Sequence, residues 1–84
     1  MSRVKVVILN WNGRAHLERY LPSVVRATMP KYGVVVADNG STDSSLEYVA
    51  ETFPEVEIMR LDRNYGFAEG YNRAIAQVDA DYIV

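Results

Sequence analysis

The sequence predicts an α/β domain built on a parallel sheet, and three observations carry that prediction. Four β-branched apolar runs alternate with three segments of helical periodicity, so the order reads β-α-β-α-β-α-β. The first two runs, residues 4–9 and 34–37, are nearly continuous in apolar residues, as strands covered by helices on both faces are. Each of the first three runs is followed by a loop crowded with hydrogen-bonding side chains.

The elements follow in order. Val4-Lys5-Val6-Val7-Ile8-Leu9 and Val34-Val35-Val36-Ala37 read as central strands. Between them, residues 14–28 place Leu17, Leu21, Val24, Val25 and Thr28 on one helical face. Pro22 removes the hydrogen bond to the Glu18 carbonyl, which predicts a kink or two helical pieces. Ser44-Ser45-Leu46-Glu47 matches a capping box at the start of a second helix. Leu46, Val49, Ala50 and Phe53 follow at helical spacing, and Pro54 stops it. Val56-Glu57-Ile58-Met59-Arg60-Leu61 alternates apolar with charged residues, which suits a sheet edge. A third helix puts Phe67, Tyr71, Ala74, Ile75 and Val78 on one stripe, and a fourth strand begins at Tyr82-Ile83-Val84. A buried strand that stops after three residues suggests a piece of a longer protein.

Composition narrows the function classes. The 84 residues suffice for one domain, and 49% hydrophobic with 24% charged residues excludes a disordered or low-complexity chain. A domain this small hides only about 60–65% of the surface its unfolded chain exposes, so its stability is expected to be marginal. With no cysteine there is neither a disulfide nor a thiolate metal site, and with one histidine, His16, no His-based metal site or catalytic triad can be assembled. The net charge is −2, and the basic residues are scattered from Arg3 to Arg73, which argues against a nucleic-acid-binding surface. No apolar stretch approaches the ~20 residues needed to cross a bilayer. The N-terminus lacks a signal-peptide core, and a cytoplasmic location is expected.

Right-handed crossovers bring the C-terminal ends of parallel strands to one edge, where open α/β sheets bind ligands. The loops there read Asn10-Trp11-Asn12-Gly13, Asp38-Asn39-Gly40-Ser41-Thr42-Asp43 and Asp62-Arg63-Asn64-Tyr65-Gly66. Asp38, the first polar residue after a buried strand, can accept from a base imide or a ribose hydroxyl; it can equally serve as the acceptor of an Asx turn. Trp11 offers an aromatic face to a base or packs its loop against the first helix. Asn10 and Asn12 suit backbone or base contacts and are also ordinary loop formers. Gly66 and Gly70 would let backbone come close to a ligand or to the sheet, and Gly70 costs its helix about 1 kcal/mol relative to Ala, which something must repay. Neither a P-loop nor a dinucleotide-binding Gly-x-Gly-x-x-Gly follows any strand. Asp79-Ala80-Asp81 has the spacing of a hard-cation site, but it precedes the fourth strand, on the edge opposite the polar loops, and reads as a turn.

Three segments taken together resemble the N-terminal part of family 2 glycosyltransferases of the GT-A fold. They are Val6-Val7-Ile8-Leu9-Asn10-Trp11-Asn12-Gly13, Val36-Ala37-Asp38-Asn39-Gly40-Ser41-Thr42-Asp43 and Asn64-Tyr65-Gly66-Phe67-Ala68-Glu69-Gly70-Tyr71-Asn72. The Asp-Asn-Gly-Ser-Thr-Asp form with Gly-Phe-Ala-x-Gly-x-Asn is most similar to the rhamnosyltransferase-type branch. The resemblance implies a Rossmann-like three-layer parallel sheet of order 3-2-1-4, with residues 1–84 forming the nucleotide-sugar-binding half of a GT-A domain truncated in its fourth strand. It implies an inverting transferase moving a sugar from a dTDP-, UDP- or GDP-linked donor to a glycan or lipid-linked acceptor, as in cell-wall polysaccharide synthesis. The donor-binding set it implies is Asn10, Trp11, Asn12, Asp38, Asn39, Gly66 and Asn72.

In such enzymes a divalent cation, Mg2+ or Mn2+, neutralises the diphosphate leaving group while a carboxylate base deprotonates the acceptor hydroxyl. By the resemblance both the metal motif and the base follow the point where this chain stops, so no catalytic or metal-binding residue is expected here, and the chain alone is expected to be inactive. Asn39 stands where many relatives carry a second Asp, and Tyr71 where many carry Arg. The resemblance also implies a parent at the inner face of the membrane. The short fourth strand leaves an apolar sheet edge, from which self-association of the chain is expected. Two other readings stay open: a non-catalytic α/β binding or interaction module, and a nucleotidyltransferase, although Asn10-Trp11-Asn12-Gly13 lacks the Gly-rich basic loop the latter needs.

Overall fold

The computed structural model describes residues 4–29, 31–78, 80 and 82–83. Strands β1 (Val4–Asn10), β2 (Gly33–Asp38), β3 (Glu57–Arg60) and β4 (Tyr82–Ile83) alternate with helices α1 (Arg14–Thr28), α2 (Ser45–Thr52) and α3 (Phe67–Gln77). The strands form one parallel sheet in the order β3-β2-β1-β4. Asn10 pairs with Asp38 and Asp38 with Arg60, so three strands end level with one another.

The strand period of two sorts the core into two layers. Val34 and Val36 of β2 face Leu17 and Leu21 of α1 and Val49 of α2. Val35 and Ala37, one residue out of phase, join Val7 of β1 and Ala74 of α3 on the other face. This explains the unbroken apolar run in β2: both faces are covered, and Val34, Val35, Val36 and Ala37 are all buried. At the opposite end of the sheet, Lys5 reaches from β1 past Gly33 to Glu57 on β3 at 3.0 Å. A Cβ on Gly33 would stand 3.3 Å from the Lys5 stem, so the glycine leaves the crossing room.

Four local expectations are corrected. α1 is one helix through Pro22 rather than two helical pieces; the carbonyl deprived of its partner belongs to exposed Glu18, where water can satisfy it. The Ser44 capping box does not form. The Ser44 side chain caps no amide; its hydroxyl accepts from Arg14 Nη1 at 2.6 Å, and it is Asp43 that accepts from the first amide of α2, that of Ser45, at 3.0 Å. The buried face of α2 is Ser45 and Val49, with Leu46 and Phe53 packed at its margin and Ala50 exposed. The buried face of α3 is Gly70 and Ala74, while Phe67 is 80% exposed. Helical periodicity assigned Phe67 inward by its hydrophobicity, but the core cluster on this face takes Tyr71, Ala74 and Val78 from the later part of the stripe and not Phe67. Asp79 and Asp81 of the Asp-x-Asp lie outside the described residues.

Candidate functional site

The three polar loops meet over the level ends of β1, β2 and β3 and are tied to one another by side chains. Asn12 adopts a left-handed conformation, φ 47°, which asparagine tolerates better than most residues. That turn aims its Oδ1 at the second loop, where it accepts from the amides of Thr42 at 2.8 Å and Asp43 at 3.2 Å. Its own amide donates to Ser41 Oγ at 2.8 Å. Behind this bridge, Asn10 Nδ2 donates to Asp38 Oδ1 and Ser45 Oγ, both at 2.9 Å. Gly13 is required beside it, since a Cβ there would lie 2.5 Å from Asn10 Oδ1.

Asp38 is only 3% exposed. Its Oδ1 also accepts from Ser41 Oγ at 2.6 Å, and its Oδ2 from the Ser41 amide at 2.8 Å. The carboxylate therefore closes an Asx-type turn and, with three donors on two oxygens, retains acceptor capacity. Asp43 is held below the usual carboxylate range, first by the Ser45 hydroxyl at 2.5 Å and further by the Ser45 and Arg14 amides. A depressed folded value adds stability above the unfolded pKa of about 3.9, and that stability fades as the pH falls through the lower folded value. Because Asp43 is exposed, the gain is small. Asp43→Asn is expected to flatten the acid limb of stability below about pH 4, as read by urea midpoints at successive pH values.

The second and third loops are joined through Asn39 and by a close backbone approach at Gly40. Gly40 has φ 83°, and a Cβ on it would lie 2.8 Å from the Asn64 amide nitrogen. Gly66 has φ 79° and ψ 175°, a region essentially reserved for glycine, although the space beside it is open. Gly66→Ala is therefore expected to cost about 1–3 kcal/mol through backbone strain alone, as measured by thermal or urea unfolding. Outside this turn, the guanidinium groups of Arg73 and Arg63 lie over the Tyr65 ring, 4.0 Å and 4.9 Å from its centroid.

A hollow of about 240 Å³ opens between the first and third loops, lined by Leu9, Trp11, Asn39, Asn64, Gly66 and Phe67. Trp11 is 55% exposed, so its indole is not spent on packing. A second hollow, about 260 Å³ and mainly apolar, runs from Asn10 and Trp11 along α1 past His16, Leu17, Tyr20 and Val24. Of the residues singled out by sequence, Asn10, Trp11, Asn12, Asp38, Asn39 and Gly66 are brought together. Of these, Asn10, Trp11, Asn39 and Gly66 line a hollow, whereas Asn12 and Asp38 belong to the hydrogen-bonded loops behind it and Asn72 is exposed on α3 and lines neither. Sequence reasoning missed Phe67 as a wall of the first hollow and Asn64 as a hydrogen-bonding hub. The local signal for Asn64 was its place two residues before a glycine, the pattern of an Asx turn. The described residues contain no group of three or more His, Cys, Asp or Glu side chains able to hold a metal ion.

An α/β unit with a parallel sheet of this kind matches the N-terminal part of GT-A glycosyltransferase folds. Residues 5–84 match the family described as glycosyl transferase family 2, and the chain belongs to that family. A Mycobacterium tuberculosis protein, N-acetylglucosaminyl-diphospho-decaprenol L-rhamnosyltransferase, is 37% identical over 73 residues, covering 87% of this chain and 24% of its own length. Among solved structures, S. aureus TarS 1-349 in complex with UDP-GlcNAc superposes with a TM-score of 0.80 at 24% identity, over 98% of this chain and 25% of that one. The Pyrobaculum calidifontis mannosyltransferase PcManGT, in complex with GDP-Man and Mn2+, gives 0.73 at 24% identity over 98% and 26%. The chain thus spans about a quarter of the length of these relatives. Among the described residues, no helix is long and apolar enough to cross a membrane.

Proposed function

We propose that this chain is the donor-nucleotide half of a family 2 glycosyltransferase, one that moves a sugar from a nucleoside-diphosphate sugar to a glycan or lipid-linked acceptor with inversion. The observation that carries this reading is the convergence of the three polar loops around a hollow beneath an open indole. Trp11 offers its face to the base, and Asp38 Oδ2 offers its remaining acceptor capacity to a base imide or ribose hydroxyl. Asn12 and Ser41 hold the first and second loops at the separation this requires. A divalent cation would supply neutralisation of the diphosphate leaving group. The cation and the acceptor-activating base are assigned to the remainder of the enzyme, as the resemblance to family 2 glycosyltransferases implies.

The test is a titration with UDP, dTDP and GDP that follows the emission of Trp11, the chain's single tryptophan. Saturable quenching by at least one of the three is expected, with pyrophosphate alone leaving the signal unchanged. No response to any of them up to millimolar concentration would overturn the reading. Stacking contributes about 1–3 kcal/mol per base, so Trp11→Ala in the whole enzyme is expected to weaken donor binding about five- to hundredfold. Repeated turnover of sugar transfer by the 84-residue chain alone would contradict the division of labour proposed here.

A further inference from the structure

Asn39 is 3% exposed, yet its carboxamide points across a loop junction rather than into a strand pair. Nδ2 donates to the Gly66 carbonyl at 2.9 Å and to Asn64 Oδ1 at 3.2 Å, while Oδ1 accepts from the Tyr65 amide at 3.0 Å. These partners fix which end is which, since a backbone carbonyl needs a donor and a backbone amide an acceptor. Asn64 is not free to turn over in response, because its Oδ1 also accepts from the Gly66 amide at 2.7 Å. On its other side the carboxamide rests in the space left by Gly70, where an added Cβ would lie 2.6 Å from Nδ2 and 2.9 Å from Cγ. This is what repays a glycine inside α3.

We propose that Asn39 is a positioning residue: its carboxamide, seated against Gly70, clamps the Asn64-Tyr65-Gly66 turn to the end of β2. It thereby sets the wall of the hollow opposite Trp11. This inference rests on the donor-site reading for its consequence, since the clamped turn supplies Asn64, Gly66 and Phe67 to the hollow. It also makes Asn, rather than Asp, the residue the geometry demands. A carboxylate at position 39 could still accept from Tyr65 but would face the Gly66 carbonyl and Asn64 Oδ1 with lone pairs on both sides.

Three variants of the full-length enzyme that carries this chain separate positioning from stability. Asn39→Asp and Asn39→Ala are expected to raise the donor KM tenfold or more while kcat at saturating donor stays within about threefold. Gly70→Ala improves helix propensity, so a purely structural role predicts equal or better binding. Through its collision with Asn39 the clamp instead predicts a donor KM raised at least fivefold, with little change in melting temperature. Asn39→Ala combined with Gly70→Ala removes the collision, and its KM is expected to match that of Asn39→Ala alone. Amide hydrogen exchange at Tyr65 and Gly66, measured without nucleotide, should quicken in Asn39→Asp and in Gly70→Ala. If the unmodified enzyme shows no nucleotide affinity, the donor-site reading fails and the exchange data alone decide the clamp. If it binds nucleotide but the variants bind equally well, or exchange at these two amides is unchanged, the clamp is overturned.

Discussion

Asp38→Ala is expected to cost the domain about 2–4 kcal/mol and to abolish nucleotide binding. The carboxylate is the shared acceptor for Asn10 Nδ2, Ser41 Oγ and the Ser41 amide, and each buried donor stranded by its removal costs about 1–3 kcal/mol, offset where Asn10 can still reach Ser45. Asp38→Asn keeps the volume but is expected to recover little. Whichever way the amide points, its NH2 faces a donor, either Asn10 Nδ2 or the Ser41 amide. Urea unfolding reports the stability change, and the Trp11 titration reports the binding loss. A stable Asp38→Asn variant with normal nucleotide affinity would refute the role given to this carboxylate.

Leu21→Ala is expected to remove about 2–5 kcal/mol. The side chain is 1% exposed and packs within the cluster that joins α1 to Val34 and Val36 of β2 and Val49 of α2. For 84 folded residues the net stability amounts to only about 4–12 kcal/mol, so this one cavity takes a large share of it. Tyr20, its neighbour in sequence, is 54% exposed, and Tyr20→Ala is expected to change stability much less. Melting temperatures of the two variants side by side check the contrast, since it depends on burial rather than on residue size.

Strand identity was legible because β2 is apolar and buried from Val34 to Ala37, as a covered strand is, while β3 carries charged residues at both ends, Glu57 and Arg60, as suits the sheet edge it occupies. The helical faces were read less well. Phe67 is apolar at the correct spacing and yet exposed, whereas Gly70, with no side chain to signal burial, forms the inner face of α3. The cap was also placed one residue off: Ser44 has the right chemistry but caps no amide, and Asp43 accepts from the Ser45 amide in its stead.

Periodicity and loop chemistry by themselves determined the element order, the parallel sheet and the set of polar loops at its carboxyl edge, because these follow from which residues can be buried and how a right-handed crossover must run. Only the tertiary structure decided how each polar residue is used. The turn that Asp38 closes and the loop junction that Asn39 bridges depend on donors contributed by Asn10, Ser41 and Tyr65 and on the space left at Gly70. Hydrogen bonds are short-ranged and directional, so their partners are settled by chain segments that meet only after the sheet has formed.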